Sequence, residues 1–302
     1  MNNQSHTSTL VKDGARSAET LARAVYDLGH TAMFASKADP RFHYCLYVPP
    51  VVREGEPVEL LVAVHGTSRT SFLEFRDGFA EFGRWNRCAV LCPIFPIGVL
   101  GDAERSGYKY MIEGDIRYDE LLLAMVAEVA QKYGQNWDRF ALFGFSGGGQ
   151  FTHRFAILHP EKLWAASIGA PGSVTRLDPK KDWWVGVRDV TQRFGIELNL
   201  QSLAEVPTQM VVGGADLETW EITHRPGGRY WMDGANDAGS TRPDRLRALK
   251  ASFESAGVKV RFDLVPGVSH DRMKVLDLVK DFLAGILATK RAASRSSGDG
   301  KC

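Results

Sequence analysis

The 302-residue chain is predicted to fold as an α/β protein, with a mostly parallel central sheet and helices on both faces. Short apolar runs typical of buried strands alternate with longer stretches typical of helices. The strand-like runs are nearly continuously apolar, as at residues 58–64, which is the pattern of a sheet covered on both faces. A third observation is a glycine-rich turn that joins one such run, residues 140–143, to a helix-like stretch.

The elements follow in a regular order. The predicted strands cover residues 42–48, 58–64, 88–92, 140–143, 164–168, 208–212 and 258–265. The predicted helices cover residues 18–28, 121–133, 150–158, 243–256 and 271–288. The second of these has Asp115 or Asp119 near its start and Gly134 at its end, which are ordinary start and stop signals.

These elements predict one domain over residues 16–289. The segments 1–15 and 290–302 are polar, and we expect both to be flexible. Two stretches do not fit the alternation of strands and helices, namely residues 172–206 and 217–241. Each follows a strand, on the side where open α/β sheets place their sites. The first is predicted to be a lid or cap inserted after the sixth strand, and the second a long loop near the acid residue.

Composition excludes several classes of function. Apolar residues make up 44% and charged residues 24% of the chain, and the formal net charge is +1. This charge gives no electrostatic reason to expect nucleic acid or an anionic membrane as a partner. No apolar run reaches the roughly 18 residues of a membrane span. The first residues lack the basic start and apolar core of a signal peptide, so we expect a cytoplasmic protein.

The cysteines predict neither a disulfide nor a zinc site. Cys88 and Cys92 lie in one strand-like run, where four residues span about 13 Å. A disulfide needs Cα atoms within about 7 Å. No spacing of histidines and cysteines is typical of zinc. Buried free thiols are the expected state.

The turn after residues 140–143 contains Gly144-Phe145-Ser146-Gly147-Gly148. G-x-S-x-G between a strand and a helix is the nucleophile elbow of the α/β-hydrolases. A glycine- and serine-rich turn without chemistry is the alternative, because the pattern alone is loose. The strand before it and the helix after it favour Ser146 as a catalytic nucleophile.

A serine nucleophile needs a base, and the base needs an acid that orients it. In this fold the chain order is Ser, then Asp or Glu, then His. Asp216 follows the strand at 208–212, and His270 follows the strand at 258–265. We therefore predict Ser146, Asp216 and His270 as the catalytic residues. The rival acids are Glu218, Glu221 and Asp233, and the rival bases are His153, His159 and His224.

An oxyanion hole would complete this set, since the tetrahedral intermediate concentrates charge on one oxygen. The backbone N–H of Gly147, the residue after the nucleophile, is one predicted donor. The second is the N–H of Thr67, in the loop after the strand at 58–64. His65 is predicted to brace this loop rather than to act in catalysis.

The chain resembles the α/β-hydrolases, and among them the bacterial esterases related to polyhydroxybutyrate depolymerases and feruloyl esterases. The matching pieces are residues 62–67, residues 144–149, the region around Asp216, and residues 267–270. The similarity extends from about residue 58 to residue 287. It implies the fold and the catalytic trio but no particular substrate. The relatives are commonly secreted, whereas no leader is evident here, and the two inserts have no counterpart that would imply a polymer substrate.

Aromatic residues near the predicted site suggest an apolar pocket for an acyl or aryl group. The alternative is that they pack the inserts onto the body. Arginines of the inserts could hold a substrate carboxylate or could be solvated; they are Arg176, Arg188, Arg225 and Arg229. The predicted substrate-binding aromatics are Phe95, Trp183, Trp184, Trp220 and Trp231.

Together these features predict a serine hydrolase that cleaves a small-molecule carboxylic ester with an apolar or aromatic group. The chemistry of the trio requires no cofactor and no metal. An amidase, thioesterase, lactonase, acyltransferase or carbon–carbon hydrolase would use the same residues. A non-catalytic binding protein that kept the fold is the alternative of another class. The oligomeric state is left open.

Overall fold

A computed structural model describes residues 26–298 of the chain. Nine of its strands form one sheet in the order β1-β3-β5-β4-β8-β9-β10-β11, with β2 paired to the first two residues of β3. The strands of this sheet are β1 (Gly29–His30), β2 (Phe34–Ala35), β3 (His43–Val48), β4 (Glu59–Val64), β5 (Cys88–Ile94), β8 (Phe140–Phe145), β9 (Leu163–Gly169), β10 (Thr208–Gly213) and β11 (Val260–Val265). Two short strands, β6 (Ile112–Glu113) and β7 (Ile116–Arg117), form a separate hairpin.

Helices connect the strands on both faces of the sheet. The α-helices are α1 (Ser71–Gly78), α2 (Ala80–Trp85), α3 (Tyr118–Tyr133), α4 (Gly147–Leu158), α5 (Val190–Phe194), α6 (Leu200–Ala204), α7 (Arg242–Ser255) and α8 (Leu276–Gly298). Short 3-10 turns lie at Pro50–Glu54, Gly107–Tyr110, Pro160–Lys162 and Met273–Val275.

The six strands from β5 through β11 in this order are parallel. At one edge, β3 is antiparallel to β5, and β1 is antiparallel to β3. The predicted α/β class with a mostly parallel sheet is therefore confirmed. All seven predicted strands are present, with ends that differ by at most two residues. Since parallel strands end at the same edge of a sheet, the loops after β4, β8, β10 and β11 converge there.

Several boundaries differ from the predictions. The last helix begins at Leu276 and continues to Gly298, so the flexible tail predicted from residue 290 is helical as far as the structure describes it. The insert at 172–206 was expected after the sixth strand. It follows β9, which is the fifth strand if only strands of six or more residues are counted. The predicted flexible segment 1–15 and most of the predicted helix 18–28 lie outside the described residues.

The centre of the sheet is the core of the protein. Every residue of β8 and β9 is buried, as is nearly all of β4. The cysteines follow the same pattern: Cys45, Cys88 and Cys92 are buried and free, as expected from the sequence. Among the described residues, no helix has the length and apolar character that crossing a membrane requires.

The two inserts are packed against the body. In the first, Trp183 and Trp184 are only 6% and 5% exposed. The second contains turns without a helix or strand over residues 217–240. Arg245 of α7 ties the two together, because its guanidinium donates to the carbonyl oxygens of Gly172 and Ile222. The lid predicted from the sequence is thus a tightly packed segment in this structure.

Candidate active site

Ser146 lies at the sharp turn between β8 and α4. Its backbone has φ 60° and ψ −115°, a region that non-glycine residues rarely adopt. Such strain persists only where the surroundings hold it, and it is concentrated at functional sites. Here the Ser146 N–H donates to the carbonyl of Gly169 at 2.8 Å, which anchors the turn to β9.

The glycines after Ser146 are required by close approach of the backbone. A Cβ atom at Gly148 would lie 2.1 Å from the carbonyl oxygen of Val64. A Cβ at Gly147 would lie 2.2 Å from the Tyr108 hydroxyl oxygen. The first contact is with the backbone of a central strand, which cannot move aside. These glycines therefore let the helix α4 begin directly against β4.

Replacing Gly148 by alanine should destabilise the protein by about 3 kcal/mol or more, since overpacking against a rigid backbone forces the strand to shift. Gly285 is a matched control, because a Cβ there meets nothing within 4 Å. Gly285→Ala lies within α8 and should stabilise by about 0.5–1 kcal/mol. Denaturant unfolding of both variants checks the opposite signs. Equal stability of the Gly148→Ala variant and the wild type would contradict the close approach.

His270 and Asp216 are hydrogen-bonded to each other. The distance from His270 Nδ1 to Asp216 Oδ2 is 2.6 Å, and the Asp216 side chain is fully buried. The other oxygen of Asp216 accepts from Arg242 Nη1 at 3.1 Å. Arg242 is 2% exposed and also bonds Glu221 at 2.6 Å. The acid is thus held from one side by a guanidinium and presents its second oxygen to the imidazole.

A cleft of about 140 Å³ is lined by Ser146, His270, Thr67 and Glu221. The structure therefore brings the predicted nucleophile and base into one cleft, with the predicted acid behind the base. Within residues 26–298, no hydrogen bond joins the Ser146 hydroxyl to the His270 ring. In unliganded sites such contacts are often long and shorten when substrate binds.

The backbone nitrogen of Thr67, one predicted oxyanion donor, lies close to Gly147, which carries the other. The Thr67 nitrogen is 3.1 Å from the position that a Cβ of Gly147 would take. Gly147 is also the first residue of α4, so its N–H is not used within the helix and points along the positive end of the helix dipole. An anion placed between these two nitrogens would meet two donors.

His65 braces the loop that carries Thr67, as the sequence predicted. Its Nε2 accepts from the Phe95 N–H at 3.0 Å, and its Nδ1 lies 2.8 Å from the Gly66 carbonyl. These partners assign the neutral tautomer with the proton on Nδ1. Burial and the neighbouring Arg69 lower the pKa of His65 to about 3, so it stays neutral. It holds the loop by hydrogen bonds without adding charge.

A second cavity, of about 280 Å³, also borders Ser146. Its lining includes residues of the 3-10 turn Gly107–Tyr110 and of the long loop after β10. Sequence reasoning did not single out Lys109, Tyr110 or Arg242, all of which line it. The remaining lining includes Thr67, Gln150, Ser173, Trp220, Glu221, His224 and Tyr230.

The predicted substrate-binding aromatics are dispersed. Trp220 lines the cavity beside Ser146 and is 72% exposed. Phe95 is fully buried and stacks on Phe151, so its prediction as a pocket residue is corrected to a core residue. Trp183, Trp184 and Trp231 line a neighbouring cavity of about 240 Å³.

The wall between these two cavities is an aromatic pair. Tyr110 and Tyr230 contact both cavities, and their rings stack with centroids 3.9 Å apart. The indole N–H of Trp184 donates to the Tyr230 carbonyl, and that of Trp183 donates to the Tyr110 carbonyl. Trp183 and Trp184 therefore fix the backbone of Tyr110 and Tyr230. This is the packing role that the sequence left open as an alternative to substrate binding.

The rival acids have other partners. Glu218 accepts from the Trp220 indole, and Asp233 forms an ion pair with Lys181. Glu221 is bound by Arg242 and faces both cavities beside Ser146. Glu221 is therefore the rival acid that lines the site, but the imidazole of His270 is hydrogen-bonded to Asp216.

The rival bases are also accounted for. Both ring nitrogens of His153 bond backbone groups, the Gly149 carbonyl and the Thr175 N–H. His159 pairs with buried Asp119 at 2.9 Å. His224 lines the larger cavity, and burial lowers its pKa to about 4. None of the three bonds a carboxylate within the Ser146 cleft among the described residues.

Of the insert arginines, two are engaged by carboxylates away from Ser146. Arg188 pairs with Asp182, and Arg229 pairs with Asp102 and Glu104. Within the part of the chain that the structure describes, Arg176, Arg188, Arg225 and Arg229 do not line the cavities beside Ser146.

One group of ligand-type side chains lies elsewhere, where atoms of Asp119, Glu120 and His159 come within 4.8 Å of one another. Arg117 donates to both oxygens of Asp119, and His159 bonds the same carboxylate. Arg117 and His159 thus satisfy the hydrogen bonds of this carboxylate, which is a structural role for the group.

Comparisons by sequence and by structure give different results. No protein-family model matches the chain. No curated protein matches it in sequence. Many solved structures, in contrast, match its fold.

Three of these structures illustrate the likeness. Poly(aspartic acid) hydrolase-1 from Sphingomonas sp. KT-1 is 19% identical, with a TM-score of 0.65 over 80% of this chain and 92% of that chain. The poly(3-hydroxybutyrate) depolymerase from Bordetella parapertussis is 21% identical, with a TM-score of 0.63 over 80% and 83%. An S-formylglutathione hydrolase from Agrobacterium tumefaciens is 17% identical, with a TM-score of 0.55 over 85% and 93%. Together with the sheet order and the elbow, this likeness shows that the chain has the α/β-hydrolase fold.

Proposed function

We propose that the protein is a serine hydrolase that cleaves a carboxylic ester through an acyl-enzyme on Ser146. One observation carries the proposal: His270, bound through Nδ1 to buried Asp216 at 2.6 Å, lines the same cleft as Ser146. An imidazole oriented by a carboxylate beside a strained serine is the arrangement that activates a hydroxyl as a nucleophile.

The chemistry follows from these positions. The bond from Nδ1 to Asp216 leaves Nε2 of His270 without the proton, so Nε2 can take the proton of the Ser146 hydroxyl. The serine oxygen attacks the ester carbonyl, and the N–H groups of Gly147 and Thr67 stabilise the resulting oxyanion. His270 then gives its proton to the departing alcohol. Water, deprotonated by the same ring, releases the acid and restores Ser146.

Asp216 stabilises the imidazolium that forms in both steps. Arg242, which bonds its other oxygen, fixes the carboxylate so that it cannot rotate away from the ring. Arg242 is therefore a positioning residue, and it acts on His270 through Asp216. Its contact with Glu221 joins the long loop after β10 to the same unit.

An ester is favoured over other acyl substrates by the names of the similar structures. They include a poly(3-hydroxybutyrate) depolymerase, a ferulic acid esterase and a carboxylesterase, at TM-scores of 0.63, 0.57 and 0.51. At 17–21% identity these likenesses support a class of chemistry but no substrate. The small cleft and cavity suit a small-molecule ester, such as that expected from the sequence.

The test is covalent labelling with a fluorophosphonate, followed by intact-mass spectrometry and peptide mapping. We expect one adduct on Ser146, lost in Ser146→Ala and retained in Ser255→Ala, a matched variant of an exposed serine of α7. A panel of p-nitrophenyl esters, anilides, thioesters and lactones then separates the acyl chemistries. Absence of both adduct and turnover would refute the proposal and favour a non-catalytic binding protein.

A further inference from the structure

Behind the residues that line the cavity beside Ser146 lie three buried cations that have no carboxylate partner among the described residues. Arg69, Arg154 and Arg245 are 7%, 0% and 1% exposed. Within residues 26–298, none of the three has a carboxylate oxygen within 4 Å. This is unusual, because a buried charge normally requires a partner of opposite sign.

Neutral groups satisfy these guanidinium N–H donors instead. Arg69 donates to the carbonyls of Phe95, Thr67 and Arg105. Arg154 donates to the hydroxyls of Thr175 and Ser173 and to the carbonyl of Lys109. Arg245 donates to the carbonyls of Gly239, Gly172 and Ile222 and to the amide oxygen of Asn236. Their hydrogen bonds are made, but their positive charge is not neutralised.

Burial lowers the pKa values of Arg154 and Arg245 to about 10, which leaves both charged at neutral pH. Because the formal net charge of the whole chain is only +1, this positive charge is a local property of the site. A cavity wall with an excess of positive charge and a low dielectric constant concentrates anions.

Lys109 is a buried cation that lines the cavity and has unused donors. It is 9% exposed and lines the cavity together with Ser146. Its Cε lies 3.0 Å from the position that a Cβ of Gly147 would take, so the side chain runs beside the oxyanion donors. Its ammonium donates to the Ser106 hydroxyl at 3.2 Å. In the described part of the chain it has no carboxylate within 4 Å.

The charged groups that face Lys109 do not neutralise it. Two are the cations Arg69 and Arg154, and two are the carboxylates Glu104 and Glu221. Glu104 is bound by Arg229 at 3.0 Å, and Glu221 is bound by Arg242 at 2.6 Å. An ammonium has three donors, so at least two remain for a ligand.

We propose that this cavity is a carboxylate subsite, and that the substrate is a small ester carrying a second, ionised carboxylate that binds Lys109. The inference rests on the proposed ester hydrolysis at Ser146 and names its substrate class, a half-ester of a dicarboxylic acid. The substrate's charge compensates the uncompensated positive charge of the cavity wall. Burial of these cations lowers the free energy of unfolding, and the positive charge that they keep favours binding of an anionic substrate.

A single carboxylate suits this arrangement. The buried guanidiniums of Arg69, Arg154 and Arg245 direct their N–H donors to neutral protein oxygens, whereas Lys109 offers a positive charge with unused donors. Arg105, which is exposed and also lines the cavity, adds a second positive charge at its rim. A cavity of about 280 Å³ also suits a short dicarboxylic chain.

The experiment compares two esters of equal size, monomethyl glutarate and methyl glutaramate, in which an amide replaces the carboxylate. We expect the kcat/KM of wild-type protein to be at least about tenfold higher for the acid, as one charge-assisted hydrogen bond predicts. This preference should decrease as salt is added, because the attraction is electrostatic. A ratio near one would overturn the subsite.

Lys109→Met removes the charge and keeps the length of the side chain. We expect the ratio of the two kcat/KM values to fall to about one, whatever happens to the absolute rates, since both esters share the chemistry at Ser146. Lys259→Met, a change of an exposed lysine away from the cavity, should keep the wild-type ratio. A preference for the acid that survives in Lys109→Met would assign it to another residue and refute the proposal.

The wild-type protein allows a test without any variant. Burial, together with repulsion from Arg69, lowers the pKa of Lys109 to about 8. The ammonium therefore loses its proton as pH rises through about 8, and the preference for the acid ester should disappear between pH 7 and pH 9.5. His270 affects both esters alike and cancels in the ratio. A ratio that stays constant over this range contradicts the role of Lys109.

The failure of the underlying function is distinguishable. If neither ester is hydrolysed and Ser146 is not labelled, the ester hydrolase proposal falls. Calorimetric titration with glutarate and with glutaramide then decides the subsite by itself. Binding of glutarate alone, lost in Lys109→Met, supports it, and equal or absent binding of the two compounds refutes it.

Discussion

Replacing Ser146 by alanine is expected to lower kcat/KM for a p-nitrophenyl ester by about 10⁴- to 10⁶-fold. The change removes one oxygen at a turn that glycines and the bond to the Gly169 carbonyl hold in place, so the fold should be unaffected. What remains would be stabilisation of the oxyanion by Gly147 and Thr67, acting on attack by water. Initial rates check the result, measured with enough protein to detect the remaining activity.

The same variant also tests which serine is the nucleophile. Ser106 and Ser173 also line the larger cavity, and either could in principle attack an ester there. Ser173 donates its hydroxyl to Gln150 and accepts from Arg154, which leaves it without a base. If Ser146→Ala kept a rate within tenfold of the wild type, the assignment of the nucleophile and of the elbow would both be wrong.

The elements that the sequence predicted well are those whose pattern follows directly from burial. The strands β4, β8 and β9 are covered on both faces, so their sequences are apolar without interruption. The strands β1 and β2, which both pair with β3, have two residues each, too few for any periodicity. The helices α1 and α2 were not predicted, since they are short, Gly78 ends the first, and Gly83 weakens the helical pattern of the second. Gly83 is required, since a Cβ there would lie 2.5 Å from the Cys88 carbonyl.

The proximity of the proposed catalytic trio was predictable for a topological reason. Ser146 follows β8 directly, and Asp216 and His270 lie in the loops after β10 and β11, so their convergence follows from the parallel sheet. Lys109 and Arg242 are not placed by any strand end. Lys109 lies in a 3-10 turn, and Arg242 begins a helix 26 residues after the acid that it bonds. Only the packing of distant segments brings them to the site.

The prediction of Phe95 as a pocket residue was wrong, because the apolar composition of its loop was the sole evidence for it. An apolar loop after a strand has the same sequence signature whether it lines a pocket or completes the core. Phe95 belongs to the core because its ring lies against Phe42, Tyr108, Tyr118 and Phe151. The cationic cavity was equally unpredictable, since the near-zero net charge of the chain conceals how its charges are distributed.

Replacing Asp216 by asparagine should lower kcat by about 10⁴-fold while preserving the fold, the loss typical for this change in a serine triad. The physical reason lies in Arg242, whose Nη1 can donate only to an oxygen. The amide oxygen of the asparagine would therefore face Arg242, and its NH₂ would face His270 Nδ1. An NH₂ donor forces Nδ1 to accept, which places the ring proton on Nε2. His270 could then no longer take the proton of Ser146.

Two further variants separate this tautomer effect from a loss of structure. Asp233→Asn changes the rival acid of the long loop, which is exposed and paired with Lys181, and should keep wild-type rates. Adding Arg242→Met to Asp216→Asn removes the donor that fixes the amide, so the amide oxygen can turn to His270 and part of the lost rate should return. Steady-state kinetics on the single and double variants measure this coupling. If Asp216→Asn retained kcat within tenfold, or if the double variant were slower than the single one, Asp216 would not be the acid that orients the imidazole.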